Sequence, residues 1–387
     1  YIGIEDGLSN NSVICIYKDH NGFMWFGTYD GLNRFDGYEF KVYRNRVGDS
    51  TSLLDNTVYT IQGDKNHVLW IAGRKGLSLF SPLKNSFSSV SYINLKNHTE
   101  KISGTVHAVK IDEDDNVFVG TENDGLILFP KATSQGRQIP LMRASNLVEH
   151  YEVSSVELNE NKQYAWVFIE NEGLALYDRK KNSVVLINTH FKKINCLKAD
   201  NKGHLWIGTD NGFYRYDIET NSFSNSYLNS QSRIVNIGID KTGVLWLSSD
   251  QDGIFTLLPQ ENKVRPFTVD GKNVLSRNAV FSVYEDEEGR KWIGTLRGGI
   301  DVIKAHQNPF KKIYDNSDKP AIPAKNFINA FCETVDKNVW IGTSGGGLKY
   351  WHRSSNTYTN YLHDPNNPGS ISSNAITYIL KDESNQI

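Results

Sequence analysis

Residues 11–37 read NSVICIYKDHNGFMWFGTYDGLNRFDG, and the tetrapeptide at their centre, Trp25-Phe26-Gly27-Thr28, recurs along the chain. Near-copies are Trp206-Ile207-Gly208-Thr209, Trp292-Ile293-Gly294-Thr295 and Trp340-Ile341-Gly342-Thr343. Looser copies are Trp70-Ile71-Ala72-Gly73, Phe118-Val119-Gly120-Thr121, Trp166-Val167-Phe168-Ile169 and Trp246-Leu247-Ser248-Ser249. Successive copies lie 45, 48, 48, 40, 40, 46 and 48 residues apart, a mean of 45. A period of this size marks a repeat architecture.

The surroundings of each copy repeat as well. An apolar pair begins twelve residues before the Trp, as in Val13/Ile16, Val58/Ile61, Ile234/Ile237 and Val280/Val283. Asp then stands six residues before the Trp and Gly three before it, as in Asp19/Gly22, Asp200/Gly203, Asp240/Gly243 and Asp286/Gly289. That pattern predicts a hairpin whose Asp caps the turn and whose Gly takes the left-handed conformation. A third strand follows Gly31-Leu32, Gly76-Leu77, Gly125-Leu126, Gly173-Leu174 and Gly347-Leu348, and a fourth ends near Phe40, Phe87, Phe223 and Tyr358. Four short antiparallel strands per 45 residues describe a propeller blade. No apolar run shows a 3.6-residue period over ten or more residues, which excludes helical repeats. A blade cannot bury both faces alone, so blades stack around an axis, with the Trp side chains wedged between neighbours.

The expected fold is therefore all-β: a seven-bladed propeller of four-stranded blades over 1–310, then a blade and a half of a second propeller over 311–387. Tyr1-Ile2-Gly3-Ile4 reads as an outer strand closing the first ring, and Asn308-Pro309-Phe310 as its equivalent in the second. A single eight-bladed ring is the alternative. A ninth copy opens at Asn374-Ala375-Ile376 and stops before its Trp strand, so the chain reads as a fragment. It opens at Tyr1 without Met, consistent with removal of an upstream segment.

Composition narrows the function. The 387 residues carry 42 Lys+Arg against 44 Asp+Glu, which argues against a nucleic-acid or polybasic membrane surface. No stretch approaches the roughly 20 apolar residues of a membrane span. Cys15, Cys196 and Cys332 lie in apolar strand-like runs and read as buried free thiols, not a disulfide framework.

The 11–37 stretch, the opening Glu5-Asp6-Gly7-Leu8-Ser9-Asn10 and the linker His363-Asp364-Pro365-Asn366-Asn367-Pro368-Gly369-Ser370 resemble the regulator-propeller sensor regions of Bacteroides-type hybrid two-component systems. The resemblance runs over nearly the whole chain and is weakest near Phe118 and Trp166. It implies a periplasmic sensor region of an inner-membrane histidine kinase, made of two seven-bladed propellers. It also implies an oligosaccharide ligand from complex glycans, membrane attachment only through downstream segments, and a homodimeric parent receptor. The kinase would lie outside this chain. The shared motif contains no ligand-binding residue.

Chemistry is sparse. The ten His are scattered, with no His-Glu-x-x-His and no Cys-x-x-Cys. No catalytic set, metal site or cofactor is expected. Gly345-Gly346-Gly347 lacks the Gly-Lys-Ser/Thr of a phosphate loop and reads as a turn. Glu285-Asp286-Glu287-Glu288 reads as a solvated hairpin turn, with cation binding the other possibility. Asp-x-x-Gly before Trp also resembles the Asp-box of sialidase propellers and the repeats of streptogramin-lyase propellers. That keeps a hydrolase or lyase as one alternative and a protein-binding scaffold as another.

Binding chemistry concentrates in loops free of a structural consensus. Here these join the second and third strands: Tyr29 in blade 1, Arg74 and Lys75 in blade 2, Glu122 in blade 3, Glu170 in blade 4, Asp210 in blade 5, Asp250 in blade 6 and Arg297 in blade 7. Seven-blade closure sets blades 2 and 7 on either side of blade 1, so Arg74 and Arg297 would flank Tyr29. Two guanidinium groups beside an aromatic ring suit an acidic or hydroxyl-rich sugar.

Overall fold

The computed structural model describes the chain except residues 144–145, 159–163, 201, 229–231, 259–260, 262, 270–271, 273, 304–326, 356 and 383–385. It divides into two compact units, Tyr1–Gln307 and Asn308–Ile387. The stretch holding the 310 boundary and Asn308-Pro309-Phe310 lies outside the described residues.

The first unit is an all-β propeller. Its first blade pairs Val13–Lys18, Met24–Thr28, Gly31–Phe35 and Phe40–Tyr43 in chain order, each antiparallel to the next. Six further sheets follow, with innermost strands Val58–Gly63, Val106–Ile111, Val153–Leu158, Cys196–Ala199, Ile234–Ile239 and Val280–Glu285. Each innermost strand packs on the next, and Val280–Glu285 packs back on Val13–Lys18. The seventh sheet has three strands of its own. Ile2 pairs antiparallel with Ile300 at its outer edge through two main-chain hydrogen bonds of 2.9 Å.

Four strands per blade is not universal. Blades 3 and 4 are six-stranded. The connection into blade 3 forms the hairpin Ser91–Ile93/Thr99–Lys101, and the connection into blade 4 forms Leu141–Arg143/Asn146–Val148. Each hairpin pairs in parallel with the outer strand of its blade. These are the two consecutive 48-residue repeats, so the added length covers otherwise open sheet edges.

Seven apolar cores lie between the blades. Trp25 packs with Val58 and Ile61, Trp70 with Val106 and Val109, Phe118 with Val153 and Val156, and Trp166 with Ile194 and Leu197. Trp206 packs with Ile234 and Ile237, Trp246 with Val280, and Trp292 with Val13 and Phe26 of blade 1. The apolar pair of one blade thus receives the aromatic ring of the blade before it. Apolar area leaving water at these seven boundaries drives the stacking.

The ring is set by a hydrogen bond. In Asp19, Asp64, Asp200, Asp240 and Asp286, Oδ1 accepts the main-chain N–H four residues on, closing the hairpin turn. Oδ2 accepts the indole Nε1–H six residues on, at 2.7–2.9 Å. The residue three before the Trp is left-handed, whether Gly22 at φ 87° or His67 at φ 63°. Blade 3 has Phe118 and no indole donor. There the Arg179 guanidinium of blade 4 supplies the N–H, 2.7 Å from Asp112 Oδ2, and lies 5.2 Å from the Phe118 ring centroid.

The Gly of the tetrapeptide is a close-approach residue. A Cβ on Gly27 would sit 2.7 Å from Val58 Cγ1, and one on Gly294 2.9 Å from Val13 Cγ1. A second link is main-chain: the N–H groups of Gly31, Gly253 and Gly299 donate to the carbonyls of Asn56, Asn278 and Asn11 of the following blade. The thiols of Cys15 and Cys196 also point at next-blade carbonyls, Val58 O and Ile234 O, each at 3.9 Å. Burial pushes both up to about 12, so they stay protonated and unreactive.

The second unit holds one sheet: Ile328–Glu333, Val339–Thr343, Leu348–His352 and Thr357–Tyr361. The start of the ninth copy lies against it. The N–H of Gly347 donates to Asn374 O, repeating the inter-blade bond of the first unit.

Two stability predictions follow from the aspartate. Arg179→Ala leaves Asp112 short of a donor and should cost about 1.5–3 kcal/mol in urea denaturation, the scale of a hydrogen bond to a charged group. Adding Phe118→Trp to that variant restores an N–H donor and should recover part of the loss; an additive double-mutant cycle would refute this. For Asp240, burial favours the neutral acid. Bonds from Thr242, Trp246, Val244 and Lys291 outweigh it and hold the carboxyl down at about 2. A lowered carboxyl pKa stabilises the fold above the unfolded value near 3.9, and that contribution fades as pH falls toward 2. Asp240→Asn should therefore cost about 2 kcal/mol at pH 7, with the gap to wild type closing between about pH 4 and pH 2.

Candidate functional site

The register of six of the seven innermost strands of the first unit skips one residue near its start. The skip falls between Val13 and Cys15, Val58 and Thr60, Val106 and Ala108, Val153 and Ser155, Ile234 and Asn236, and Val280 and Ser282. Such bulges release a side chain from the ladder. The released residues are Ile14, Tyr59, His107, Ser154, Val235 and Phe281, all half-buried. Asn195 holds the corresponding place in blade 5, its N–H donating to Gly208 O.

Several loop residues gather around this row. Burial raises the Tyr59 hydroxyl; Tyr29, Asp55 and Glu122 add to the effect and Arg74 opposes it, so all four lie within electrostatic reach of Tyr59. His107 Nε2 is 3.3 Å from Glu152 Oε1. Glu122 is lowered chiefly by the Thr105 main-chain N–H, 2.9 Å from its Oε2, with His107 contributing. Glu170 is raised by burial and by Glu152, against the nearby Ser154 hydroxyl and the charges of Lys193 and His107. Glu152 thus meets the His107 imidazole, and Glu122 and Glu170 lie within its electrostatic reach across blades 3 and 4.

The charge continues into blades 5 and 6. Asp210 accepts from Asn195 Nδ2 at 3.0 Å and pairs with Arg233 Nε at 3.0 Å, while Arg233 Nη1 reaches Asp250 at 3.1 Å. These loop positions and released residues form one arc at the mouth of the ring. Blades 3 to 6 bring carboxylates to it; blades 7, 1 and 2 bring Phe281, Ile14 and Tyr59 as released residues, with Tyr29 in the loop of blade 1. Carboxylates accept hydrogen bonds from hydroxyl groups, and aromatic rings cover the apolar faces of sugar rings.

Of the loop residues singled out from sequence, Tyr29, Arg74 and Glu122 come together around Tyr59, and Glu170 joins through His107 and Glu152. Asp210 and Asp250 are bridged by Arg233. Lys75 is exposed. Arg297 is exposed and left-handed at φ 63°, its main-chain N–H 3.3 Å from Ser12 Oγ of blade 1. Tyr59, His107, Glu152 and Arg233 were missed. Their signal was available: the residue after the strand-opening Val or Ile changes chemistry in every blade, whereas its apolar neighbours do not.

Other sequence features have structural roles. The hydroxyl that ends the second strand in blades 1, 3, 5, 6 and 7 bonds across the turn, as Thr28 Oγ1 does to Gly31 O at 2.9 Å and Thr295 Oγ1 to Gly299 O at 3.0 Å. The acidic run is consumed by ion pairs. Glu285 binds Lys291 at 2.9 Å, Asp286 binds Arg290 at 2.6 Å, Glu288 binds Arg290 at 3.0 Å, and Glu287 binds Lys18 of blade 1. Among the described residues no cluster of His, Cys, Asp and Glu has the arrangement of a metal site.

If the mouth binds ligand, Tyr59→Ala and Arg74→Ala should each weaken it about tenfold, near 1.4 kcal/mol. Unchanged affinity in both, with the fold intact by circular dichroism, would place the ligand elsewhere. Because burial and Glu152 disfavour the Glu170 carboxylate, its charge costs stability once pH exceeds its raised pKa. Glu170→Gln should therefore raise Tm at pH 7 and leave it unchanged well below the usual carboxylate range.

The model of the two-component regulator propeller repeat matches residues 7–30, 191–211 and 323–345. A 48-residue segment is 60% identical to histidine kinase P4 of Formosa agariphila, covering 12% of this chain and 4% of that protein. The crystal structure of the extracellular domain of the hybrid two component system BT3049 from B. thetaiotaomicron matches over 100% of this chain, with 26% identity and a TM-score of 0.68. This chain spans 51% of that domain. A streptogramin B lyase structure, 13% identical with a TM-score of 0.52, covers 76% of this chain and 93% of its own, a likeness of fold alone. Repeat, fold and relatives agree in kind: the chain carries the two-component regulator propeller repeat at three places and is similar over its whole length to the extracellular domain of a hybrid two-component system.

Proposed function

We propose that this chain is the sensing part of a periplasmic receptor, and that the mouth of its ring takes a hydroxyl-rich oligosaccharide derived from a glycan. The observation that supports it most is the match to the BT3049 extracellular domain over the whole chain. The mouth suits such a ligand: Glu122, Glu152, Glu170 and Asp210 offer acceptors, and Tyr29 and Tyr59 offer rings. The chain's work is binding, not turnover. Ligand free energy biases the receptor between two arrangements, and only a difference in affinity between those arrangements can transmit a signal. The parent receptor acts as a homodimer, and its kinase lies in another part of the protein.

We also propose that 1–310 is one ring and 311–387 opens a second. In the second unit Ile328 is 60% exposed and Phe331 76% exposed. Their counterparts in the first unit, such as Val58 and Ile61, are buried against the preceding blade.

Calorimetry of the receptor's whole extracytoplasmic region against neutral and charged oligosaccharides tests the reading. Saturable binding of one glycan class, which also switches kinase output in membranes, is expected. Binding with no effect on output would refute it. So would steady glycan turnover abolished by one carboxylate substitution.

A further inference from the structure

Blades 5 and 6 have outer strands of only two residues each, Ser222–Phe223 and Arg265–Pro266. Pro266 has no N–H to lengthen its ladder. Between blades 1 and 2 the comparable space is filled: Phe80 and Phe87 pack with Tyr43 at centroid distances of 4.9–5.7 Å. Between blades 5 and 6 a cleft of about 800 Å³ remains.

Its lining is chemically one-sided. It includes the cations Arg215 and Lys263, the rings of Tyr227 and Phe255, and the polar groups of Ser224 and Asn225, but no carboxylate. Arg215 stands opposite Trp206 in the sheet, on the face toward blade 6. It also lines a second cleft of about 470 Å³, together with His204 and the carboxylates of Asp200, Asp240 and Glu261, with none of which it forms an ion pair. The Arg215 side chain is half-buried and has no hydrogen-bond partner among the described residues. Asp217 lies within electrostatic reach, but its carboxylate is engaged by Thr220. In blade 3 the Arg179 guanidinium is paired with Asp112; Arg215 has no such acid.

The blade 5 wall of the cleft is tied to its sheet by hydrogen bonds and a ring contact. Ser224 Oγ accepts the Arg215 main-chain N–H at 3.0 Å, Tyr227 N–H donates to Phe213 O at 2.8 Å, and the Tyr227 ring meets Trp206 edge-on at 5.4 Å. A planar donor fork beside two aromatic rings and small polar groups fits a ring that carries both hydroxyls and a fixed negative charge.

We propose that the cleft between blades 5 and 6 is a second ligand site, specific for a saccharide bearing a carboxylate or sulfate. Arg215 takes the anion, Lys263 adds a second charge, and Tyr227 and Phe255 hold the apolar face of the sugar. This goes beyond the acidic mouth, which favours neutral sugars, and rests on the sensing reading only for its biological use.

The test is calorimetry of the full chain with three probes: an oligogalacturonate, a sulfated oligosaccharide of the same length and a neutral oligoglucan. The charged probes should bind at least about tenfold tighter than the neutral one, and the preference should fall as salt rises. Arg215→Gln should remove most of that preference, and Lys263→Gln part of it. Failure of both charged probes to bind overturns the proposal. So does charged binding that Tyr59→Ala weakens and Arg215→Gln does not; that result puts the sugar at the mouth and leaves the sensing reading standing. Binding lost in Arg215→Gln with kinase output unchanged would do the reverse, keeping the cleft and refuting the sensing role.

Discussion

The bond from the hairpin aspartate to the indole six residues later ties local geometry to the ring. One oxygen closes the turn of the innermost hairpin, and the other fixes the rotamer of the Trp that enters the next blade. The carboxylate is screened from water, so its hydrogen bonds are strong and costly to lose. Register within a blade and packing between blades therefore share one anchor. Blade 3 shows the constraint acting on donor chemistry: with Phe118 in place of Trp, Arg179 reaches over from the neighbouring blade to the same oxygen.

Closure reuses the contacts that join consecutive blades. Gly299 donates to Asn11 as Gly31 donates to Asn56, and Gly294 meets Val13 as Gly27 meets Val58. The one difference is at the rim, where Ile2 completes a sheet that lacks its own fourth strand. The start of the chain thus covers an edge that would otherwise present unpaired main-chain groups.

Variation is confined to places this framework leaves free. The bulge at the head of six of the seven innermost strands of the first unit sets one residue outside the ladder, and the loops after the Thr residues are capped without fixing their tips. Together they make the mouth acidic on one side and apolar on the other. The rim varies by strand length: blades 3 and 4 gain hairpins, while blades 5 and 6 shorten and open a cationic cleft.

Residue order alone determined the repeat, the hairpin with its capping Asp and left-handed turn, the inter-blade place of the Trp side chains and the all-β class. The hairpin depends on contacts within about a dozen residues, which sequence spacing records directly, and the repeat period carries the same contacts from blade to blade. It also located the variable loops holding Tyr29, Arg74, Glu122 and Glu170. It did not give the second acceptor role of the Asp, because a hydrogen bond to an indole leaves no spacing signal apart from the turn itself. Nor did it give Tyr59, His107 and Glu152 as their companions, or the bridge of Arg233 between Asp210 and Asp250. Those groups come from several blades, and only tertiary packing brings side chains some 15–63 residues apart in the chain within reach of one another. The unpaired Arg215 was equally invisible, because its isolation follows from how short the outer strands of two adjacent blades turn out to be.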